Sequence, residues 1–458
     1  MIRIVLGVIF AVISMAVLSG CQSIPARPLG LETRLEALKT REIAPEPVLD
    51  YARTLAESSY DQPTPFDPAD GLSLGEAEAV TLWYNPELRI SRLEADRVAA
   101  IARTAGLWED PGLDLSGGRK REELDGGIDR SWISAASLSI TIPLSGRPAA
   151  ERRAQSAAHH ASLLNVAEQE WATLKTLRAA WLTWSASVER LKLLDEHLAL
   201  LGQFADVARS LAEAGELDPG SARMFSIERA QKQAQRDSAA LLDPGQRAAL
   251  LALAGLLPDA PVSLQPSLGN AVSVRPRESD PAALALRHPA VVRLSADYEA
   301  AEARLRVELR KQYPDLTLSP AYEDERGESS VTLGLGLIPI PVWNANKPGI
   351  ADAAAERDIA RARAEGKLQQ ALAEVVQAQA RLASAKALHQ GLVERAAPEA
   401  DLQMTEAQAL LRVGEADMGM VFQALTQAYG IKQELIDATL GEQLALAELE
   451  ALTSPTLP

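Results

Sequence analysis

Cysteine is all but missing from this chain. A single one, Cys21, occurs in 458 residues. It excludes an internal disulfide and a multi-thiolate metal site, so stability must come from packing. Aromatic residues are also scarce, at 4%, although hydrophobic residues reach 47%. The apolar content is mostly Ala and Leu, the strongest helix formers. Basic surplus is absent too: the net charge is −16. That argues against a nucleic-acid partner, which would want a basic stripe. Motifs of chemistry are missing as well. There is no GxxxxGK[ST] phosphate loop, no HExxH zinc pair and no G-x-S-x-G elbow. The five histidines are scattered. His159 and His160 are neighbours on a helix and point in different directions. The expectation is a chain that is no enzyme and has no cofactor and no metal site of its own.

What is present begins at the N-terminus. Arg3 is followed by the almost wholly apolar Ile4–Val17, then Leu18-Ser19-Gly20-Cys21. A charged start, a short apolar stretch and small residues form a secretory signal. A bilayer-spanning helix would need about 20 apolar residues. Small residues directly before a lone cysteine resemble a bacterial lipobox. Residues 1–20 are then a signal peptide, and Cys21 carries lipid. Gln22, in place of Asp, favours the outer membrane. Residues 21–70 are rich in proline and read as a tether, with one short helix near 29–42.

The pattern then repeats. Asn85-Pro86 and His288-Pro289 are 203 residues apart, as are the segments starting at Pro111 and Pro314. Arg147-Pro148 and Lys347-Pro348 are 200 apart, and Gly215-Glu216 and Gly414-Glu415 are 199 apart. Constant order and spacing mark a tandem duplication. The units are 71–258 and 280–452, joined by a linker at 259–279 and followed by a tail at 453–458. Each reads as helix, two strands, very long helix, break, helix. In the first unit a helix over 72–107 is expected. A second, from Pro148 to Leu211, would be roughly 95 Å long. Asp243-Pro244-Gly245 is expected to interrupt the helix after Gly220. In the second unit Leu368, Val375, Leu382 and His389 fall seven apart and interleave with Ala371, Ala378, Ala385 and Leu392. That spacing is a heptad seam, and it makes His389 a packed residue.

The strands carry the functional reading. Trp132, Leu138, Ile140 and Ile142 alternate with Ser137, Ser139 and Thr141. Val331, Leu333, Leu335 and Leu337 alternate with Thr332, Gly334 and Gly336. Segments of about ten residues with period-two alternation suit membrane-spanning strands. Charged stretches at 119–125 and 323–328 read as hairpin tips in water. Open sheet edges are not tolerated in lipid, and four strands cannot close a useful barrel. Several chains must pool them.

A lipidated N-terminus, a twofold repeat and strand pairs set between long helices resemble the TolC-type outer-membrane factors. The segments 105–115 and 337–350 are similar to the heavy-metal, CzcC-like branch. The resemblance implies a mainly α fold with a small membrane β-barrel: a long-helix α-barrel, trimeric, with four strands per chain in a shared 12-stranded barrel. It implies the passive exit duct of a tripartite efflux pump, carrying small solutes or metal cations. The partners would be a periplasmic adaptor (membrane fusion protein), an inner-membrane pump of RND type and outer-membrane lipid. A type I secretion outlet, an adaptor, and a structural envelope lipoprotein without a pore are the alternatives. Tip turns are expected at Gly215 and Gly414. Matching along Gly414–Tyr429 puts Met420 and Gln423 where the family has aperture aspartates. Glu415, Asp417, Glu216 and Asp218 are the acidic candidates nearby, either as aperture residues or as exposed turn residues.

Overall fold

The computed structural model describes residues 24–41, 43, 44, 46–48, 50, 66, 67, 70–124, 127–269, 280–325, 328–336, 343–412 and 417–453. Cys21, Leu337, Gly414 and Glu415 lie outside the described residues. The chain divides into a unit Met1–Glu42 and a unit Ile43–Pro458. In the first, α1 spans Leu31–Lys39.

In the second unit each half begins with a short helix closed by a capped proline step. α2 (Leu74–Tyr84) opens on a capping box: Ser73 accepts from the Glu76 N–H, and Glu76 reaches back to the Ser73 N–H. α3 spans Pro86–Thr104. The continuous helix expected over 72–107 is therefore two helices, broken at Asn85. Pro86 pushes the preceding residue out of the helical region. Asn85 sits at φ −59, ψ 126, and its side chain accepts from the Glu87 and Leu88 N–H groups. The same device recurs between α6 (Pro281–Leu286) and α7 (Pro289–Arg310), where His288 Nδ1 accepts from the Ala290 N–H at 3.1 Å.

Strands β1 (Gly112–Leu124) and β2 (Gly127–Ile142) follow the first pair, and β3 (Leu316–Glu325) and β4 (Glu328–Leu335) the second. The four form one antiparallel sheet in the order β1-β2-β3-β4. Where described, the charged stretches belong to the strands themselves. β1 runs through Arg119 and Lys120, and β3 through Glu323 and Asp324, with ladder partners throughout. One ion pair reaches across β2: Lys120 of β1 lies 3.3 Å from Glu325 of β3.

α4 (Arg147–Glu213) has 67 residues and is about 100 Å long. α5 spans Pro219–Leu253 without interruption, with Pro244 inside it. The break expected at 243–245 is thus absent. An interior proline costs about 3 kcal/mol. Leu250 and Leu251, beyond it, bury against Leu177, Trp181 and Trp184 of α4, and two buried leucines contribute roughly 3–6 kcal/mol. Packing wins. In the second half, α8 (Lys347–Gly391) passes through a π-helical turn, Leu392–Ala396, into α9 (Ala397–Arg412). Pro398 cannot donate to the carbonyl four residues back, and the widened turn there carries the Ala397 N–H to the Leu392 carbonyl instead. α10 (Met418–Thr453) closes the chain.

Part of the heptad seam is buried: Ala371, Val375, Ala378 and Leu382, the last two against Ala445 and Leu449 of α10, whereas Leu368, Ala385 and His389 are only partly buried. Two stretches expected to be loose are packed where described. Val48 is fully buried against Leu82, Trp171 and Leu174. Leu72 bridges to Leu264 in parallel, and the Ser267 N–H donates to Ser185 Oγ.

Candidate functional site

The register of the sheet sorts its side chains into two faces, because successive residues of a strand point to opposite sides. Leu113 pairs with Leu138, Ala136 with Tyr322, Ile140 with Leu318, Leu318 with Leu335, and Tyr322 with Val331. One face is therefore apolar across all four strands. It is bare: Val331 is 80%, Leu333 70% and Leu335 66% exposed. The other face carries Ser137, Thr141, Thr317, Ser319 and Thr332, with Thr141 and Thr317 hydroxyls 3.3 Å apart. At the charged end Arg119 stacks 4.4 Å over the Trp132 ring. β1 and β4 are the outer strands. No described helix is long and apolar enough to cross a membrane.

The far ends of the long helices come together. Leu211 and Leu217 flank the first turn, Leu411 and Met418 the second, and all join one core with Phe204, Phe225 and Phe422. The Phe225 and Phe422 rings meet edge to face at 5.2 Å. Gly215 closes α4 at φ +78, and the Glu216 N–H returns to the Leu211 carbonyl at 2.9 Å. That left-handed turn is what an L side chain resists. Asp218 accepts from the Ser221 N–H at 3.0 Å and heads α5. Asp417 accepts from the Gly419 N–H at 3.2 Å and heads α10. Both aspartates are thus N-caps, with a local structural role. Glu216 is exposed. Met420, 49% exposed, and Gln423, also exposed, lie three apart on the first turns of α10.

Sequence reasoning missed the buried polar groups that join the halves. Arg178 of α4 pairs through Nε and Nη2 with Glu78 of α2, and through Nη1 with Glu450 of α10 at 2.8 Å. Burial pushes the Glu450 carboxyl up; Arg178 opposes the shift and Glu78 adds to it. Nearer the tips, His197 stacks on Tyr429 at 4.2 Å, and the Lys232 ammonium lies 4.4 Å over the same ring. Burial, with Lys232 adding to it, lowers the His197 pKa to about 4. His389, half-buried, bonds through Nδ1 to Glu442 at 2.5 Å. One signal was available for the tips: Asp218 and Asp417 are 199 residues apart, the offset of the glycines beside them.

Long paired helices with a two-hairpin sheet at one end recur in solved structures. CusC, whose crystal structures address conformational changes accompanying folding and transmembrane channel formation, superposes with a TM-score of 0.70 at 16% identity over 83% of this chain and 92% of its own. The open-state MtrE outer membrane channel of Neisseria gonorrhoeae gives 0.68 at 17% over 84% and 89%. The outer membrane protein VceC of Vibrio cholerae gives 0.65 at 17% over 83% and 96%. No curated protein sequence matches significantly. The model of the outer membrane efflux protein family matches residues 81–257 and 281–454, one segment in each repeat. Members of that family reside in the outer membrane of Gram-negative bacteria and form trimeric channels that work with adaptor and pump partners. Since both repeats match, this chain belongs to the outer membrane efflux protein family and is an outer-membrane channel subunit of a tripartite efflux pump.

Proposed function

We propose that three copies of this chain pool their sheets into one 12-stranded barrel and their long helices into one α-barrel, forming a passive duct for small solutes. The supporting observation is the bare apolar face that spans all four strands, with β1 and β4 at its edges. In lipid that face is satisfied, but unpaired edge strands are not. Pairing β4 of one copy with β1 of the next removes every edge. The chain then does no chemistry of its own and needs no cofactor. Lipid on Cys21 anchors it, and the mass of the mature N-terminus tests that anchor. A periplasmic adaptor and an RND-type inner-membrane pump complete the assembly. In this reading Met420 and Gln423, both exposed on the first turns of α10, face the axis at the periplasmic end.

The test is single-channel recording in a planar bilayer with the purified full chain. Stepwise conductance is expected, weakly blocked by millimolar divalent cations and more strongly blocked after Met420→Asp. A folded trimer that never conducts would leave a structural envelope lipoprotein as the reading. Strong divalent block of the unaltered channel would return the aperture to the acidic tip residues.

A further inference from the structure

We infer that the concave side of the helical layer carries a binding site for amphipathic organic anions. A cavity of about 730 Å³ is lined at once by α3, α4, α7 and α8. These helices pack as consecutive neighbours, α3 on α4, α4 on α7 and α7 on α8. One cavity can touch all four only on the side toward which the layer bends. Its volume is within the range of sites for drug-sized molecules.

The charge in it is unlike that of the chain. The protein has 62 acidic and 46 basic residues, yet the cavity is cationic. Arg293 is matched, to Glu168 and at 2.6 Å to Asp297. Arg97, Arg304 and Arg363 also line it, and among the described residues none of the three has a carboxylate partner. Glu356 is the one carboxylate left to set against them. A guanidinium presents a planar fork of donors suited to carboxylate, phosphate and sulfonate oxygens. Ile101 and Ile359, both about half exposed, line the same cavity. The site therefore offers several anion contacts together with apolar surface. Its ligand is an organic anion with two or more acidic groups on an apolar body. The assignment deepens the duct reading, which it needs only for the lumen: in a closed ring of such layers the concave side faces inward. The binding chemistry does not depend on the ring.

The probe is pyranine, a pyrene carrying three sulfonates, followed by fluorescence anisotropy with the full chain in non-ionic detergent. Saturable binding is expected, weakening as salt is raised. Arg304→Gln with Arg363→Gln should lower the affinity about tenfold or more per arginine, the scale of a charged hydrogen bond. Arg153→Gln with Arg310→Gln, two arginines that line a separate hollow, should leave it unchanged. Absence of saturable binding, or an equal loss in both pairs of variants, overturns the site. Conductance of the same preparation separates the two readings. A conducting channel that does not bind pyranine sinks only the anion site, and a non-conducting one that binds it sinks only the duct.

Discussion

Arg178→Met should be among the most damaging single changes in the helical body. The arginine side chain is about nine-tenths buried, as are those of Glu78 and Glu450. Removing it leaves two carboxylates in the interior with no cation between them. Breaking a buried pair in this way costs about 3–5 kcal/mol. The loss should also depend on pH, with a sign set by Glu450. Its carboxyl is already raised in the fold, by burial first. The folded state then keeps its proton to higher pH than the unfolded chain, so stability falls as pH rises above the ordinary carboxylate range. Without Arg178 the shift grows. Each proton taken up recovers about 1.4 kcal/mol per pH unit within that window. The deficit of Arg178→Met should therefore shrink as pH falls from 7.5 to 5.5. Guanidinium unfolding in detergent, read by tryptophan fluorescence, reports it well, because Trp181 and Trp184 lie within two turns of Arg178 on α4. A triple change, Glu78→Leu with Arg178→Met and Glu450→Leu, should recover most of the loss, since apolar side chains need no counter-ion. A deficit under about 1 kcal/mol, or one that ignores pH and persists in the triple variant, would refute the argument and point to lost packing alone.

The sheet makes a paired prediction: Leu335→Arg should lower assembly in lipid by roughly 2–4 kcal/mol if the residue lies near mid-membrane, while Thr332→Arg on the polar face should be mild. Trimer yield after reconstitution reads both, and equal tolerance would argue against a membrane sheet. Thr332 is the cleaner control than Gly334, where an added Cβ would come within 3.2 Å of the Ser319 carbonyl. Gly215→Val should cost about 1–2 kcal/mol through its positive φ, and Gly215→Asn distinctly less; equal losses by denaturant midpoint would mean that the turn geometry is unimportant. His197 stays neutral in the fold down to about pH 4, whereas an unfolded histidine takes up a proton near 6.5. Stability should accordingly fall by roughly 3 kcal/mol as pH drops through that window, and His197→Gln should flatten that slope; parallel pH profiles for the two proteins would dispose of the idea.

Local punctuation is what the sequence determined by itself. Asn85-Pro86 and His288-Pro289 are N-caps with proline at the first helical position. Arg147-Pro148 and Lys347-Pro348 open the long helices after left-handed residues, Gly146 and Asn346. Caps and left-handed turns depend on the chemistry of two or three adjacent residues, so spacing alone exposed both the duplication and the order of elements. Strand alternation was legible for the same reason, since the pleat fixes which side chains share a face. Its bounds were not: Arg119 and Glu323 read as hairpin tips, and only the ladder with the partner strand placed them inside strands. Only the tertiary structure decided that β2 pairs with β3 and joins two hairpins, one from each repeat, into one sheet. It alone carried α5 through Pro244, where burial of Leu250 and Leu251 outweighs a lost hydrogen bond. It alone set Glu78, Arg178 and Glu450 around one another, and Arg97, Arg304 and Arg363 around one cavity. These groups lie tens to hundreds of residues apart on different helices. No local rule couples them, because what brings them together is the order in which the helices pack.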